Sequence, residues 1–180
     1  MKNTLTILVG LFLVVDSVLT IYAGRYGAFP LIVPLGSPTA YLNIYIHVPI
    51  AWSSYVLFAS STVSAIAYLW KGKEMFDRMV YSFALVGLFY AAVTLVTGSI
   101  WANESWGTPW NWDSRETGVL LLFLAYAVYF ALRSGISDPD RASRISAAYA
   151  IAAYAMVPIS YISAQIATSL HPTPQYTGGF

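Results

Sequence analysis

Cysteine is absent from this 180-residue sequence, and with it go disulfides, thiolate metal sites, thiol catalysis and the Cys-x-x-Cys-His signature of covalent cofactor attachment. Charge is nearly as scarce. Asp, Glu, Lys and Arg make up 9% of the chain, against about 25% in an ordinary water-soluble domain. The net charge of +1 leaves no basic field for nucleic acid, and no basic stripe interleaves with polar loops. Histidine occurs only twice.

What is present is apolar length. Hydrophobic residues are 58% of the sequence, and they gather into runs near the roughly 20 residues that an α-helix needs to cross a hydrocarbon core of about 30 Å. The expectation is an all-α, polytopic membrane bundle of about five transmembrane helices forming a single domain over 1–180. Its helices fall at about 4–22, 43–70, 79–100, 117–134 and 145–169. The run from Thr4 to Tyr22 is long for a signal-peptide core and contains Asp16, so it reads as a retained first helix. A carboxylate there is costly in hydrocarbon and marks either a functional group or a polar contact with a neighbouring helix. Ser60, Ser61, Thr62 and Ser64 are small polar residues of the kind that let membrane helices approach closely.

Lys and Arg set the expected orientation, because cytoplasmic connections retain them. With the N-terminus inside, Lys2, Lys71, Lys73, Arg78, Arg133, Arg141 and Arg144 lie on the inner side, and only Arg25 and Arg115 lie outside. The breaker-rich connection Ala23–Tyr41, a tryptophan-rich segment over 101–117 and the C-terminal tail then share the outer face of a multi-pass protein of the cell membrane. All the unusual chemistry lies there. His47 stands near the start of the second helix in His47-Val48-Pro49-Ile50-Ala51-Trp52, with Pro49 expected in the first helical turn, where a missing amide is tolerated. His171 follows the last apolar run, between Leu170 and Pro172. Two neutral imidazoles from different helices at one depth can fill both axial positions of a heme iron. Taken singly, each would pass as an interfacial anchor.

Between them, Trp101, Trp106, Trp110 and Trp112 place four of the six tryptophans in one short stretch. An aromatic belt commonly needs only one or two per helix end. A flat aromatic platform suits a porphyrin face, and Arg115 offers a donor fork for propionates. Glu104 and Glu116 read as solvated, with no nucleophile or metal cluster beside them to suggest an enzyme.

The run Trp106-Gly107-Thr108-x-Trp110-x-Trp112-Asp113-x-Arg115-x-Thr117 resembles the tryptophan-rich WWD signature of the heme-handling proteins. It is most similar to that of the CcmC family of the cytochrome c maturation system, and His47-Val48-Pro49-x-Ala51-Trp52 resembles that family's first histidine motif. The order of histidine helix, WWD segment and second histidine is matched along almost the whole chain. The resemblance implies that His47 and His171 are axial ligands of a non-covalent heme b. It also implies that Trp52, Trp106, Gly107, Thr108, Trp110, Trp112, Asp113 and Arg115 border an external heme site, from which heme passes to a membrane-anchored heme chaperone beside ABC transporter subunits. Members of that family have a sixth helix after the second histidine, whereas Pro172–Phe180 is all that follows here. A small partner subunit, or the prolines flanking His171, would then hold that ligand. Two other readings stay open on the residues alone: a b-type cytochrome subunit in electron transfer, which usually buries its histidines within helices, and a cofactor-free structural or transport subunit with interfacial tryptophans.

Overall fold

The computed structural model describes residues 44–171 continuously, together with residues 11, 14–16, 18, 19, 21, 22, 25 and 26. The expected first helix lies largely outside the described residues. Those described within it are helical, and Asp16 among them is exposed. Of the expected 23–41 connection, only Arg25 and Tyr26 are described, both helical. The tail from 172 onward also lies outside.

Five helices account for the continuous stretch, and no strand occurs among the described residues: α1 Ile44–Lys71, α2 Glu74–Trp106, α3 Ser114–Gly135, α4 Pro139–Ala153 and α5 Met156–Ile166. Four spans are long and apolar enough to cross a membrane: α1, α2, α3, and α4 with α5 taken together. The chain is a multi-pass membrane protein.

Helix α2 organises the bundle. Val80, Ala84, Gly87, Ala91 and Thr94 are buried at three- and four-residue spacing, which aligns them on one face of a helix. Small side chains on that face let the α1 backbone come close, since lipid supplies no hydrophobic drive between helices and packing has to supply it. The approach is tight enough that a Cβ at Gly87 would lie 2.8 Å from the Phe58 ring. Ser61, fully buried, donates across this seam to the Val80 carbonyl at 3.0 Å. Behind it, Phe58 stacks on Tyr126 of α3 with ring centroids 3.6 Å apart. On the other side, Gly118 of α3 admits α5, where an added Cβ would meet the Ser160 Cα at 2.9 Å.

Three features differ from expectation for identifiable reasons. Helix α2 runs to Trp106, and its 33 residues make it about 50 Å long at 1.5 Å per residue. It overshoots a core of about 30 Å, so Trp101 and Trp106 are helical. The expected continuous helix over 145–169 is broken between α4 and α5. Pro158 explains the break, because its ring clashes with the carbonyl four residues earlier and it has no amide to donate there. The Tyr154 carbonyl instead accepts from Val157 N at 2.9 Å. Pro49 lies in the second turn of α1 rather than the first, which costs the bond to the Tyr45 carbonyl.

Candidate heme-binding site

Both histidines line one cavity of about 220 Å³ at the end of the bundle where α1 begins and α2 stops, together with Trp52, Trp110 and Arg115. His47 is placed by α1. Opposite it, α2 presents Gly98, whose missing side chain makes room for the ring: an added Cβ would stand 3.0 Å from His47 Cε1. His47 Nδ1 lies 2.9 Å from Thr97 Oγ1. That hydroxyl donates to the Val93 carbonyl at 2.9 Å, so its oxygen is the acceptor and Nδ1 carries the imidazole hydrogen. Nε2 is left with its lone pair.

His171 is not carried by a helix end. Helix α5 stops at Ile166, and His171 sits on the irregular segment beyond it. Its Nδ1 lies 2.8 Å from Asp113 Oδ1, with the Asp113 side chain 1% exposed. Burial pushes that carboxyl upward. Hydrogen bonds from Leu170 N, Ser169 Oγ and Arg115 N, with the neighbouring imidazole, outweigh it and hold the group below its ordinary value. Burial lowers the His171 pKa, and the Arg115 charge adds to that against the opposing pull of Asp113. A neutral ring beside an ionised carboxylate follows, again with Nδ1 as donor and Nε2 open.

The tryptophans divide their work. Trp101, 6% exposed, packs near both imidazoles, 6.0 Å from the His47 ring and 5.6 Å from the His171 ring by centroid. Trp106 packs edge-on against His171 at 5.1 Å. Trp110 faces the cavity, and Trp112 stands at right angles to it, 70% exposed. Trp112 also has φ 61°, a left-handed conformation that bulky residues rarely adopt. It is flanked by the Asn111 side chain, which accepts from Asp113 N at 2.9 Å. Gly107 ends α2 with φ 77°, and Thr108 donates to the Trp110 carbonyl at 3.0 Å. Neither of them lines the cavity, and nor does Asp113.

Trp101, expected in the aromatic platform, lines the cavity, and so do Gly98, Tyr161 and Glu116, which had no expected site role. Glu116 is not simply solvated: its Oε2 accepts from Asn111 N and Asp113 N at 3.2 and 3.3 Å, completing a capping box with Asp113. The Asp-x-x-Glu spacing before an apolar run carries that signal. Arg115 donates through Nη2 to the Tyr161 carbonyl at 3.0 Å and lies over the Tyr161 ring. Its Nε, like Trp101 Nε1, is buried without a protein partner.

These features fit a porphyrin. Two imidazoles with open Nε2 atoms suit an iron that already has four ring nitrogens, and the unpartnered Arg115 donor suits a propionate. No group of three or more His, Asp or Glu side chains converges for a bare metal ion among the described residues. Residues 3–176 match the family model described as "Heme exporter protein C". The chain belongs to the CcmC family. Proteins bearing that same name include those of Bradyrhizobium diazoefficiens, 34% identical over 128 residues (71% of this chain, 49% of the relative), and Haemophilus influenzae, 33% over 129 residues (71% and 52%). Another is that of Escherichia coli, 35% identical over 133 residues (73% and 54%). The chain spans about half the length of the curated relatives it matches.

Proposed function

We propose that this CcmC-family chain holds one heme at the outer face of the membrane, with His47 and His171 as its axial ligands, and presents it for cytochrome c maturation. One observation carries this reading: two histidines from distant parts of the chain line one cavity, each with Nδ1 bound to a protein acceptor and Nε2 left open. Locking one ring nitrogen so that the other can ligate is the usual arrangement for a metal-bound histidine. When bound, heme supplies the cargo iron and nothing more. The chain's own task is to grip and orient it. Trp101 and Trp110 offer aromatic faces beside the imidazoles, Arg115 takes a propionate, and Trp52, about half exposed, forms part of the wall toward lipid. Trp112 at the exposed end of the loop is where a membrane-anchored heme chaperone would meet the site. ABC transporter subunits of the same maturation system are the proposed neighbours. The role is binding and delivery rather than catalysis.

The orientation belongs to the same proposal. Lys71 and Arg133 lie at the bundle end opposite the histidines, and the Lys and Arg excess there supports a cytoplasmic placement. Single cysteines replacing Glu104 and Ser137, both exposed, should be labelled by an impermeant reagent only at 104 in intact cells.

The deciding experiment is a visible spectrum of purified protein with heme. Wild type should give a six-coordinate, low-spin species. His47→Gly or His171→Gly should open one axial position and recover with added imidazole, and the double variant should lose ligation. A double variant with an unchanged bis-imidazole spectrum, or a wild type that binds no heme, would falsify the assignment.

A further inference from the structure

Asp113 belongs to the sequence motif that resembles a heme contact, yet its carboxylate is turned away from the cavity and fully engaged elsewhere. Oδ1 accepts from Arg115 N at 2.9 Å, from Ser169 Oγ at 3.0 Å and from His171 Nδ1 at 2.8 Å. Oδ2 accepts from Leu170 N at 2.6 Å. Capping of α3 explains only the first of these bonds. The other three come from the segment after α5, more than fifty residues away in sequence. A carboxylate that served as a wall for heme would also repel its propionates.

We propose that Asp113 is the positioning residue for His171: it fastens the segment 169–171 to the start of α3 and fixes the imidazole as the Nδ1–H tautomer, so that Nε2 is the nitrogen presented to the cavity. The proposal rests on the reading of His171 as an axial ligand. The chemistry is direct. An ionised carboxylate only accepts hydrogen bonds, so with Nδ1 at 2.8 Å the proton must reside on that nitrogen. A histidine side chain free in water favours the other tautomer, with the hydrogen on Nε2, and that form has no lone pair on the nitrogen that faces the cavity. The same bond makes the imidazole more basic, which favours ferric over ferrous iron once the ligand is bound. This arrangement also answers how the second ligand is held: three hydrogen bonds to one buried carboxylate join its segment to the WWD segment.

The test starts without heme. In detergent-purified, heme-free protein with ¹⁵N-labelled histidine, and with signals assigned through a His47→Gln variant, His171 should show a protonated Nδ1 and an unprotonated Nε2. Asp113→Asn retains a capable helix N-cap but presents an amide that can donate to Nδ1, and a comparable change in a buried Asp–His pair yields the wrong tautomer. It should therefore convert His171 to the Nε2–H form, raise the midpoint potential of the heme-loaded protein, and weaken heme retention about 10- to 100-fold, the usual effect of losing such a partner. Ser169→Ala removes one bond to the carboxylate and the acceptor of the His171 backbone N–H at 3.1 Å, but it keeps the carboxylate opposite Nδ1 and should leave the tautomer unchanged. A wild-type His171 found as Nε2–H, or an Asp113→Asn variant with unaltered tautomer and heme retention, overturns the proposal. A wild type with the Nδ1–H tautomer that gives no bis-imidazole spectrum supports the positioning by Asp113 and counts against the ligation reading alone.

Discussion

The two ends of the bundle handle buried polarity in opposite ways. At the end where α1 hands over to α2, Arg133 grips Asp77 through both terminal guanidinium nitrogens, at 2.7 and 2.6 Å, and bonds Ser146 and Ser143 at 3.1 and 3.3 Å. Its guanidinium also lies over the Tyr81 ring. Charge meets charge, and the donors are spent inside the protein. At the histidine end, Arg115 Nε and Trp101 Nε1 are buried without a partner among the described residues, and the hydrogen bonds of both imidazoles there are made through Nδ1. The first end is closed around an ion pair, with the Tyr129 hydroxyl beside it also buried without a hydrogen-bond partner. The second is a set of prepared groups awaiting something from outside, which is what separates a structural ion pair from a binding site.

Removing one partner from the closed end should produce the largest effect. Arg133→Ala leaves Asp77, 7% exposed, without its counter-charge, at a cost of about 3–5 kcal/mol. Denaturation in detergent would measure it, and the heme spectrum of the folded fraction should be unchanged. A variant of normal stability, or one whose spectrum shifts, would erase the distinction between the ends. Gly98→Ala comes next, because it places a Cβ 3.0 Å from His47 Cε1 against a ring already tied to Thr97. Overpacking of about 1–3 kcal/mol should appear as a perturbed low-spin spectrum and faster heme loss, with the helix bundle intact.

Acid should produce the smallest and most graded change. The His171 pKa is lowered from 6.5, mainly by burial, so the docked segment binds fewer protons than the same segment set free. Its stability is complete above pH 6.5 and falls as pH drops below that value toward the lowered one. Heme retention should therefore be flat from pH 8 to 7 and decline progressively below 6.5. A retention profile that is level down to pH 5 would mean that His171 does not behave as a buried neutral ring.

Much of this was legible before the structure. Apolar length located α1, α2 and α3 to within a few residues at most ends, because the bilayer imposes a length on anything that crosses it. The two histidines and the tryptophan cluster were visible because such residues are rare or dense here. The break at Pro158 was legible but missed, since the hydropathy of 145–169 is continuous across it. Contacts over long sequence separation were not legible at all. Nothing in the spacing of Asp113 and His171, 58 residues apart, or of Asp77 and Arg133, 56 apart, pairs them. Trp101 was visible as part of the tryptophan cluster, but its packing against both imidazoles depends on how far α2 extends past the core.

Sharing one acceptor among four donors has a consequence for how substitutions combine. Arg115 N, Ser169 Oγ, Leu170 N and His171 Nδ1 all converge on the two oxygens of Asp113, so the loss of any one changes the geometry and charge seen by the other three. Effects measured singly at Ser169 and His171 will not add up to the effect of changing both, in contrast to pairs of sites more than about 10 Å apart without a common partner. Once Asp113 is replaced, a further change at Ser169 has only its bond with His171 N left to disrupt. A double-mutant cycle over these positions would therefore report a coupling energy that belongs to the carboxylate rather than to either residue of the pair.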